Sequence, residues 1–396
     1  MAKSVDRSVR GKVCIVGVGI SKKVGRVPGV SPLTHAIEAT KAALDDAGLK
    51  PGDIDGVVSS FAMASHFHRF SIVLAEALKI RPTYSTNIQC SGATGAASLN
   101  QAAAAVASGL ADVVLFSIGD ALLSGLTADM ALKAMSESRD QQYEMPFGIP
   151  ASNTFAMIGA RHAHVYGTTP EQRAAAAVAM RKHAVATPGA QMKEPITIED
   201  VLNSKMVTTP YRKLECSLIS DGGVAWIVTT PERAKAMKKK PIYILGCGEC
   251  YTQEHIFLME DLTQTGGTIS SKKAYDMAGV KPKDFDVAGI YDCFTGIFII
   301  NVEDLGFCKK GEGGAFVAAG NTTYGGLIPA NTHGGLLSYA HIGIAGSVFH
   351  LIEVVRQLRG ECGPRQVKGA ELGLYHSIGG GMSSIATTVL GTEATL

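Results

Sequence analysis

Apolar positions along this chain fall into two spacings, short continuous runs and stretches with a helical period, and the two alternate. Val13–Gly19 (VCIVGVG) is a strand-type run ending in glycines. Ile37–Asp46 follows with helix-like spacing, Gly48 stops it, Pro51 opens a turn, and Gly56-Val57-Val58 reads as a buried strand. The same order returns later as Ile242–Gly248 (IYILGCG), helix-like Ser271–Met277, Gly279, Pro282 and the strand-type run Val287–Ile290. The string Ala47-Gly48-Leu49-Lys50-Pro51-Gly52-Asp53-Ile54-Asp55 reappears as Ala278-Gly279-Val280-Lys281-Pro282-Lys283-Asp284-Phe285-Asp286. Further on, Ser117-Ile118-Gly119 closes the run Val113–Phe116, and Ser377-Ile378-Gly379 closes Leu372–Tyr375. Three matched landmarks in one order predict a duplicated α/β half of roughly 120 to 150 residues.

Between the copies the pattern changes. Residues 121–219 predict helices at Phe155–Val165 and Pro170–Val185 and carry many cations, among them Arg161, Arg173, Arg181, Lys182, Arg212 and Lys213. The stretches Thr187–Ile198 and Thr208-Thr209-Pro210 break the helical spacing. Asp221–Thr229 (DGGVAWIVT) then predicts a last strand that returns to the first copy. The expected organisation is a first half over 1–120 completed by 220–240, an inserted domain over 121–219, and a second half over 241–396.

Composition narrows function more than fold. With 396 residues, 46% hydrophobic and 18% charged, the chain has ample material for a large core. A balance of 37 Lys+Arg against 35 Asp+Glu excludes a strongly basic nucleic-acid binder. No apolar run approaches the ~18–20 residues of a membrane span, and Met1–Gly11 is polar and basic, unlike a secretory leader. Eight cysteines without framework spacing predict reduced thiols and a cytoplasmic protein.

Two familiar motifs fail on inspection. Gly17-Val18-Gly19 lacks the third glycine of a dinucleotide fingerprint, since position 22 is Lys22. Cys247-Gly248-Glu249-Cys250 is a lone CxxC without a second pair, so no metal is expected there. Cys90 is different. It stands in Ile88-Gln89-Cys90-Ser91-Gly92-Ala93-Thr94-Gly95, just before the Ala-rich helix Ala96–Ala107. A thiol at a strand-to-helix turn meets unpaired N–H groups and the positive helix end, both of which favour thiolate, and Gly92 and Gly95 leave room for substrate.

The second copy supplies a matching helix start. Asn331-Thr332-His333-Gly334-Gly335 leads through His341 and Gly343-Ile344-Ala345-Gly346 into the predicted helix Ser347–Leu358. The duplication should bring this helix start opposite Cys90, pairing a nucleophile with His341 as its base, and His333 is a second, weaker candidate. Tyr291-Asp292-Cys293-Phe294 ends the strand before it and adds a second thiol, while Gly379-Gly380-Gly381 offers bare N–H groups to an oxyanion.

These residues resemble the thiolase superfamily over nearly the whole chain. Cys90-Ser91-Gly92 looks like the acyl-accepting cysteine, His341 stands at the Gly-His-Pro histidine with both neighbours changed, and Asn331-x-x-Gly334-Gly335 keeps the rest of that motif. Tyr291-Asp292-Cys293-Phe294 is similar to the His-Asp-Cys-Phe of sterol-carrier-protein-type and archaeal thiolases, with Tyr291 in place of His. The resemblance implies a five-layered α-β-α-β-α thiolase fold, Cys293 as the acid/base thiol, and an oxyanion shell drawn from Tyr291, Asn331, Gly379 and Gly380. It further implies coenzyme A as a substrate and no bound cofactor or metal, with Ser217 and Ser220 beside the pantetheine and Arg212 and Lys213 near the phosphates. The implied activity is CoA-dependent cleavage of a 3-oxoacyl-CoA, extending to bulky or aromatic substrates such as benzoylsuccinyl-CoA. A decarboxylating or acyl-transferring condensing enzyme and a non-catalytic lipid-binding subunit are the alternatives. Implied partners are a second copy of the chain, as homodimer or higher oligomer, and a small zinc-ribbon/OB-fold subunit of the DUF35 kind.

Overall fold

A computed structural model describes residues 8–127, 129–130, 133, 139–147 and 151–396. The first half runs β1 (Cys14–Ile20), α1 (Pro32–Ala47), β2 (Gly56–Ser59), α2 (Phe70–Leu78), β3 (Tyr84–Asn87), α3 (Thr94–Ala107) and β4 (Val113–Ala121). The insertion contributes α4 (Ala151–Tyr166), α5 (Pro170–Val185) and a small ribbon of β5 (Met206–Thr208) with β6 (Tyr211–Arg212), before β7 (Asp221–Thr229). The second half follows with β8 (Ile242–Tyr251), α6 (Gly267–Ala278), β9 (Val287–Ile290), α7 (Thr295–Asp304), α8 (Val348–Arg359), β10 (Leu372–Gly379) and β11 (Ser384–Gly391).

The repeated string has a local cause in each copy. Gly48 ends α1 with φ 75° and Gly279 ends α6 with φ 72°, the left-handed conformation that glycine adopts without strain. In the turn that follows, the Lys50 N–H donates to Asp53 Oδ2 at 2.7 Å and the Lys281 N–H to Asp284 Oδ2 at 2.8 Å. The glycine pairs of β1 and β8 also find their reason. A Cβ at Gly17 or Gly19 would run into the carbonyls of Ala43 and Ala39 on α1, and one at Gly246 or Gly248 into those of Ala274 and Ser270 on α6. Gly17-Val18-Gly19 is therefore a helix-docking surface.

Nine strands form one sheet in the order β3-β2-β4-β7-β1-β8-β11-β10-β9. Outward from the β1/β8 seam, each side has an antiparallel pair, a second antiparallel step, and then a parallel one: β1-β7-β4-β2 and β8-β11-β10-β9. The seam itself is two residue pairs, Cys14 with Tyr243 and Ile15 with Ile242. The counterpart of β3 in the second half is reduced to a single parallel bridge between Ala288 and Ala330.

Helices α3 and α8 pack against strands of both halves, α3 on β4, β7, β10 and β11, and α8 on β9, β10, β1 and β7. They form the middle layer, with α1 and α6 outside, which is the expected α-β-α-β-α stack. Strands covered on both faces must be apolar throughout, and β4, β7 and β10 are buried along their whole length. The insertion lies over the second half, where α5 packs on α7, His162 pairs with Glu303 at 2.9 Å, and Glu215, itself paired with Arg173 at 3.0 Å, accepts from the Thr295 hydroxyl at 3.2 Å.

Candidate active site

The middle layer brings two helix starts together. The turn Ser91–Ala93 after Cys90 packs against the turn Gly343–Ala345 after His341, and the Ser347 hydroxyl donates to the Gly92 carbonyl at 3.0 Å. Cys90 is held by its own N–H, which donates to Thr94 Oγ1 at 3.0 Å. Ser91 takes φ 48°, so the chain turns sharply at the thiol.

Tyr291 reaches the same place from the end of β9. Its hydroxyl lies 3.5 Å from His341 Nε2, and its ring so crowds Gly92 that a Cβ there would collide with the phenol oxygen. This explains the glycine after Cys90-Ser91 better than substrate room does. Burial, reinforced by Cys293 and Asp292, holds the phenol well above its usual range, so Tyr291 is a neutral hydrogen-bond donor. His341 is only partly exposed, and burial pulls its imidazole down to about 4 against the opposing pull of Asp292. It is therefore neutral at physiological pH and able to accept a proton.

Cys90 departs from expectation. Burial raises its thiol, a hydrogen bond to Tyr251 lowers it, and Glu249 raises it again, so the resting group is a thiol and not the thiolate that its helix position favours. Its Sγ lies 3.9 Å from Tyr251 Oη, whereas no hydrogen bond joins it to His341. Tyr251 in turn donates to Glu249 Oε2 at 2.7 Å, and Asn100 Nδ2 of α3 donates to Glu249 Oε1 at 3.0 Å. Glu249 lies inside the lone CxxC and Tyr251 just after it, but that motif points to its thiols and not to these two; both sit at the end of β8, about 160 residues from Cys90 in the chain.

Cys293 is buried in an apolar cluster with Tyr291, Phe294, Leu336 and Ile378. Burial and the neighbouring Asp292 keep its thiol protonated, well above the usual range. Asp292 faces the opposite way: its Oδ1 accepts from the Leu336 N–H at 2.9 Å and lies 3.2 Å from His350 Nε2. Gly379 closes against the Cys90 backbone, where a Cβ would strike the Cys90 carbonyl.

Several expected site residues turn out to be otherwise engaged. Asn331 is buried, and its side-chain amide is occupied by the backbone of Ile290, accepting from the N–H at 2.8 Å and donating to the carbonyl at 2.7 Å. It pins the strand that delivers Tyr291 and offers nothing to an oxyanion. Gly380 has φ 61° and lies against the Glu254 carboxylate, an unfavourable neighbour for negative charge. Ser220 is fully buried: its hydroxyl donates to Gln191 Oε1 at 2.6 Å and accepts from the His341 N–H at 2.9 Å, while its N–H donates to the His341 carbonyl at 2.9 Å. It clamps the histidine segment and does not face a pantetheine. Arg212 Nη1 donates to the Ser204 carbonyl at 2.9 Å, and Lys213 is exposed beside it. The Ser217 N–H donates to the Cys293 carbonyl at 2.8 Å, which ties that serine to the segment carrying the second thiol. His333 is buried away from Cys90, against Tyr339 and His350, and is not its base. Cys247 and Cys250 are free thiols on β8.

With this geometry in place, comparison with known proteins settles the family. Residues 248–392 match the family model described as thiolase C-terminal domain-like. An acetyl-CoA acetyltransferase of Methanothermobacter thermautotrophicus is 35% identical over 93% of this chain and 96% of its own. A 17-hydroxy-3-oxo-4-pregnene-20-carboxyl-CoA lyase of Mycobacterium tuberculosis is 37% identical over 88% of this chain and 92% of its own. The solved structure of an Ltp2-ChsH2(DUF35) aldolase superposes with a TM-score of 0.87 at 32% identity, over 97% of this chain and 99% of that one. The chain belongs to the thiolase superfamily, in its sterol-carrier-protein-type and archaeal branch, and is an enzyme of the acyltransferase kind.

Proposed function

We propose that the protein cleaves a 3-oxoacyl-CoA with coenzyme A through an acyl group carried on Cys90. The observation that carries this reading is the convergence of Cys90, Tyr291 and His341 at the facing helix starts, with a neutral imidazole beside a neutral thiol. His341 takes the Cys90 proton, directly or through a small rotation of the thiol away from Tyr251, and the sulfur adds to the 3-keto carbon. Tyr291 donates to the resulting oxyanion. The C2–C3 bond breaks, and Cys293, which holds its proton at neutral pH, protonates the leaving enolate. CoA thiol gives its proton to the Cys293 thiolate and adds to the acyl-Cys90 carbonyl beside Gly379, the adduct collapses by breaking the bond to Cys90 sulfur, and the Cys90 thiolate takes back its proton from His341 as the shortened acyl-CoA leaves.

A cavity of about 590 Å³ between the insertion and Ile256-Phe257, lined by none of Cys90, Tyr291, Cys293 or His341, offers room for the far end of a bulky acyl group. Its walls include Ala156 and Ile256, which belong to the same apolar cluster as Tyr291 and Cys293. Such room suits an aromatic substrate of the benzoylsuccinyl-CoA kind. A second reading, retro-aldol cleavage of a 3-hydroxyacyl-CoA in which Tyr291 passes the hydroxyl proton on to the neutral imidazole of His341, is favoured by the identity to a CoA lyase and the likeness to the aldolase structure. That aldolase names a DUF35 partner, and we assign this chain a partner of the same type, together with self-association and a cytoplasmic location. Among the described residues no helix is long and apolar enough to cross a membrane.

Product analysis separates the two chemistries. A panel of 3-oxoacyl-CoAs, incubated with and without CoA and with and without a small DUF35 protein, should give two acyl-CoA products only when CoA is present. Cleavage of 3-hydroxyacyl-CoAs to an aldehyde or ketone without CoA, and unaffected by Cys90→Ala, would replace thiolysis by the aldol reading.

A further inference from the structure

His333 takes no part in the chemistry proposed above, yet it is 2% exposed and neither ring nitrogen has a hydrogen-bond partner. An unpaired buried polar group costs on the order of 1–3 kcal/mol, a cost that a bound polar ligand would remove. The imidazole forms part of the wall of a cavity of about 340 Å³ that contains none of Cys90, Tyr291, Cys293 or His341. Binding sites for small organic molecules begin at roughly 300 Å³.

The rest of the wall combines aromatic and aliphatic groups with three cations, Lys239, Arg356 and Arg365, and two carboxylates, Glu353 and Glu361. Tyr339 meets His333 edge-on at 5.2 Å and Phe349 at 5.2 Å, and Ile352 adjoins them on α8. Both carboxylates of the wall are already neutralised. Glu353 receives Arg365 Nε and Nη2, each at 3.0 Å, and the Thr332 hydroxyl at 2.9 Å, while Glu361 is paired with Lys239. Among the described residues Arg356 has no such carboxylate partner, and its charge bears on His333. Burial holds that imidazole neutral, so it supplies one N–H donor and one acceptor without adding charge.

We propose that this cavity is a second binding site, for a small organic monocarboxylate with an aromatic or branched apolar body. The carboxylate meets Arg356 and an N–H of His333, and the body lies among Tyr339, Phe349 and Ile352. One anion matches the one unpaired cation, whereas a phosphate dianion would leave a charge unmatched against apolar walls. The site is independent of the acyl-transfer reading, although its wall reaches the catalytic arm: the Tyr339 carbonyl accepts from the Gln191 N–H at 2.9 Å, and Gln191 holds Ser220 behind His341.

Calorimetric titration of the full chain with sodium benzoate tests this, with benzyl alcohol as the neutral control. The expected result is saturable binding at one site per chain, unchanged by saturating CoA. Benzyl alcohol, and benzoate with Arg356→Gln, should bind at least about tenfold more weakly, the factor that 1.4 kcal/mol represents. His333→Phe, which fills the space, should abolish binding. No saturable binding at about 10 mM benzoate, a weaker limit than any useful site, would overturn the proposal. Equal affinity in Arg356→Gln would also overturn it, and so would competition by CoA, which would put benzoate in the catalytic cleft.

Discussion

At the scale of single residues, Cys90 and His341 both rest neutral, the thiol against Tyr251 and the imidazole against Tyr291. The thiol of Cys90 is raised by burial and eased by Tyr251 when that hydroxyl turns its proton from Glu249 to the sulfur, so Tyr251→Phe, which removes the donor, should push it further up. Loss of one hydrogen bond of about 1 kcal/mol corresponds to roughly half to one pKa unit. The pH midpoint of Cys90 alkylation should rise by that amount in the variant, and an unchanged or lower midpoint would remove Tyr251 from the site. His341 sets the acid side. Its folded value of about 4 lies below the ordinary 6.5, so the proton-accepting form persists as pH falls and is lost only on passing through 4. The acid limb of kcat/KM should accordingly fall near pH 4; a limb near 6.5 would mean a solvated histidine. Cys90, His341, Tyr291 and Cys293 could be put forward from the sequence because each sits in a local motif, and the fold brings Tyr291 beside His341 and against the glycine two residues after Cys90. Tyr251 and Glu249 could not, since their part is set by a contact across the sheet seam and the lone CxxC beside them points to its thiols. Ser220 was misread for the opposite reason: its motif position is right, but its hydroxyl is already occupied by Gln191 and the His341 backbone.

At the scale of elements, the repeated Gly-x-Lys-Pro turn sets where each half's second strand begins. Alanine at Gly279 meets no atom within 4 Å, so its cost is the left-handed backbone alone, roughly 1–2 kcal/mol. At Gly48 the same strain is joined by a contact 3.2 Å from Lys238 Cβ. Urea unfolding should therefore place Gly279→Ala below the parent and Gly48→Ala lower still, and parent-like midpoints would deny the caps their role. Elements with strong punctuation were predicted closely: α1, α5, α6, β7 and β9 fall within a few residues of the spans read from spacing. Element β11 was not assigned, because Ser384–Gly391 is a mixed Ser/Thr and aliphatic run whose strand state is fixed by pairing with β8 and β10. The shrinkage of the β3 counterpart to one bridge was equally invisible, being a matter of register and not of composition.

At the scale of the whole molecule, one edge of the sheet is left open. Among the described residues strand β3 is terminal and pairs only with β2, and it alternates partly buried and exposed positions, the form of an edge that a second copy could extend. The chain of 41.4 kDa should sediment as a dimer or larger at micromolar concentration, and a lone species near 41.4 kDa would contradict this. In the proposed mechanism the first half presents Cys90 as the nucleophile, and the second half presents His341, Tyr291 and Cys293. That division is tested most directly by intact-protein mass spectrometry of Cys90→Ala and Cys293→Ala after incubation with acyl-CoA, read beside CoA-dependent cleavage. Cys90→Ala should carry no acyl adduct and turn nothing over. Cys293→Ala should still take the acyl group on Cys90 while carbon–carbon cleavage falls by roughly 10²–10⁴, the range for a lost acid/base group. An adduct that survives Cys90→Ala, or wild-type cleavage by Cys293→Ala, would contradict the account.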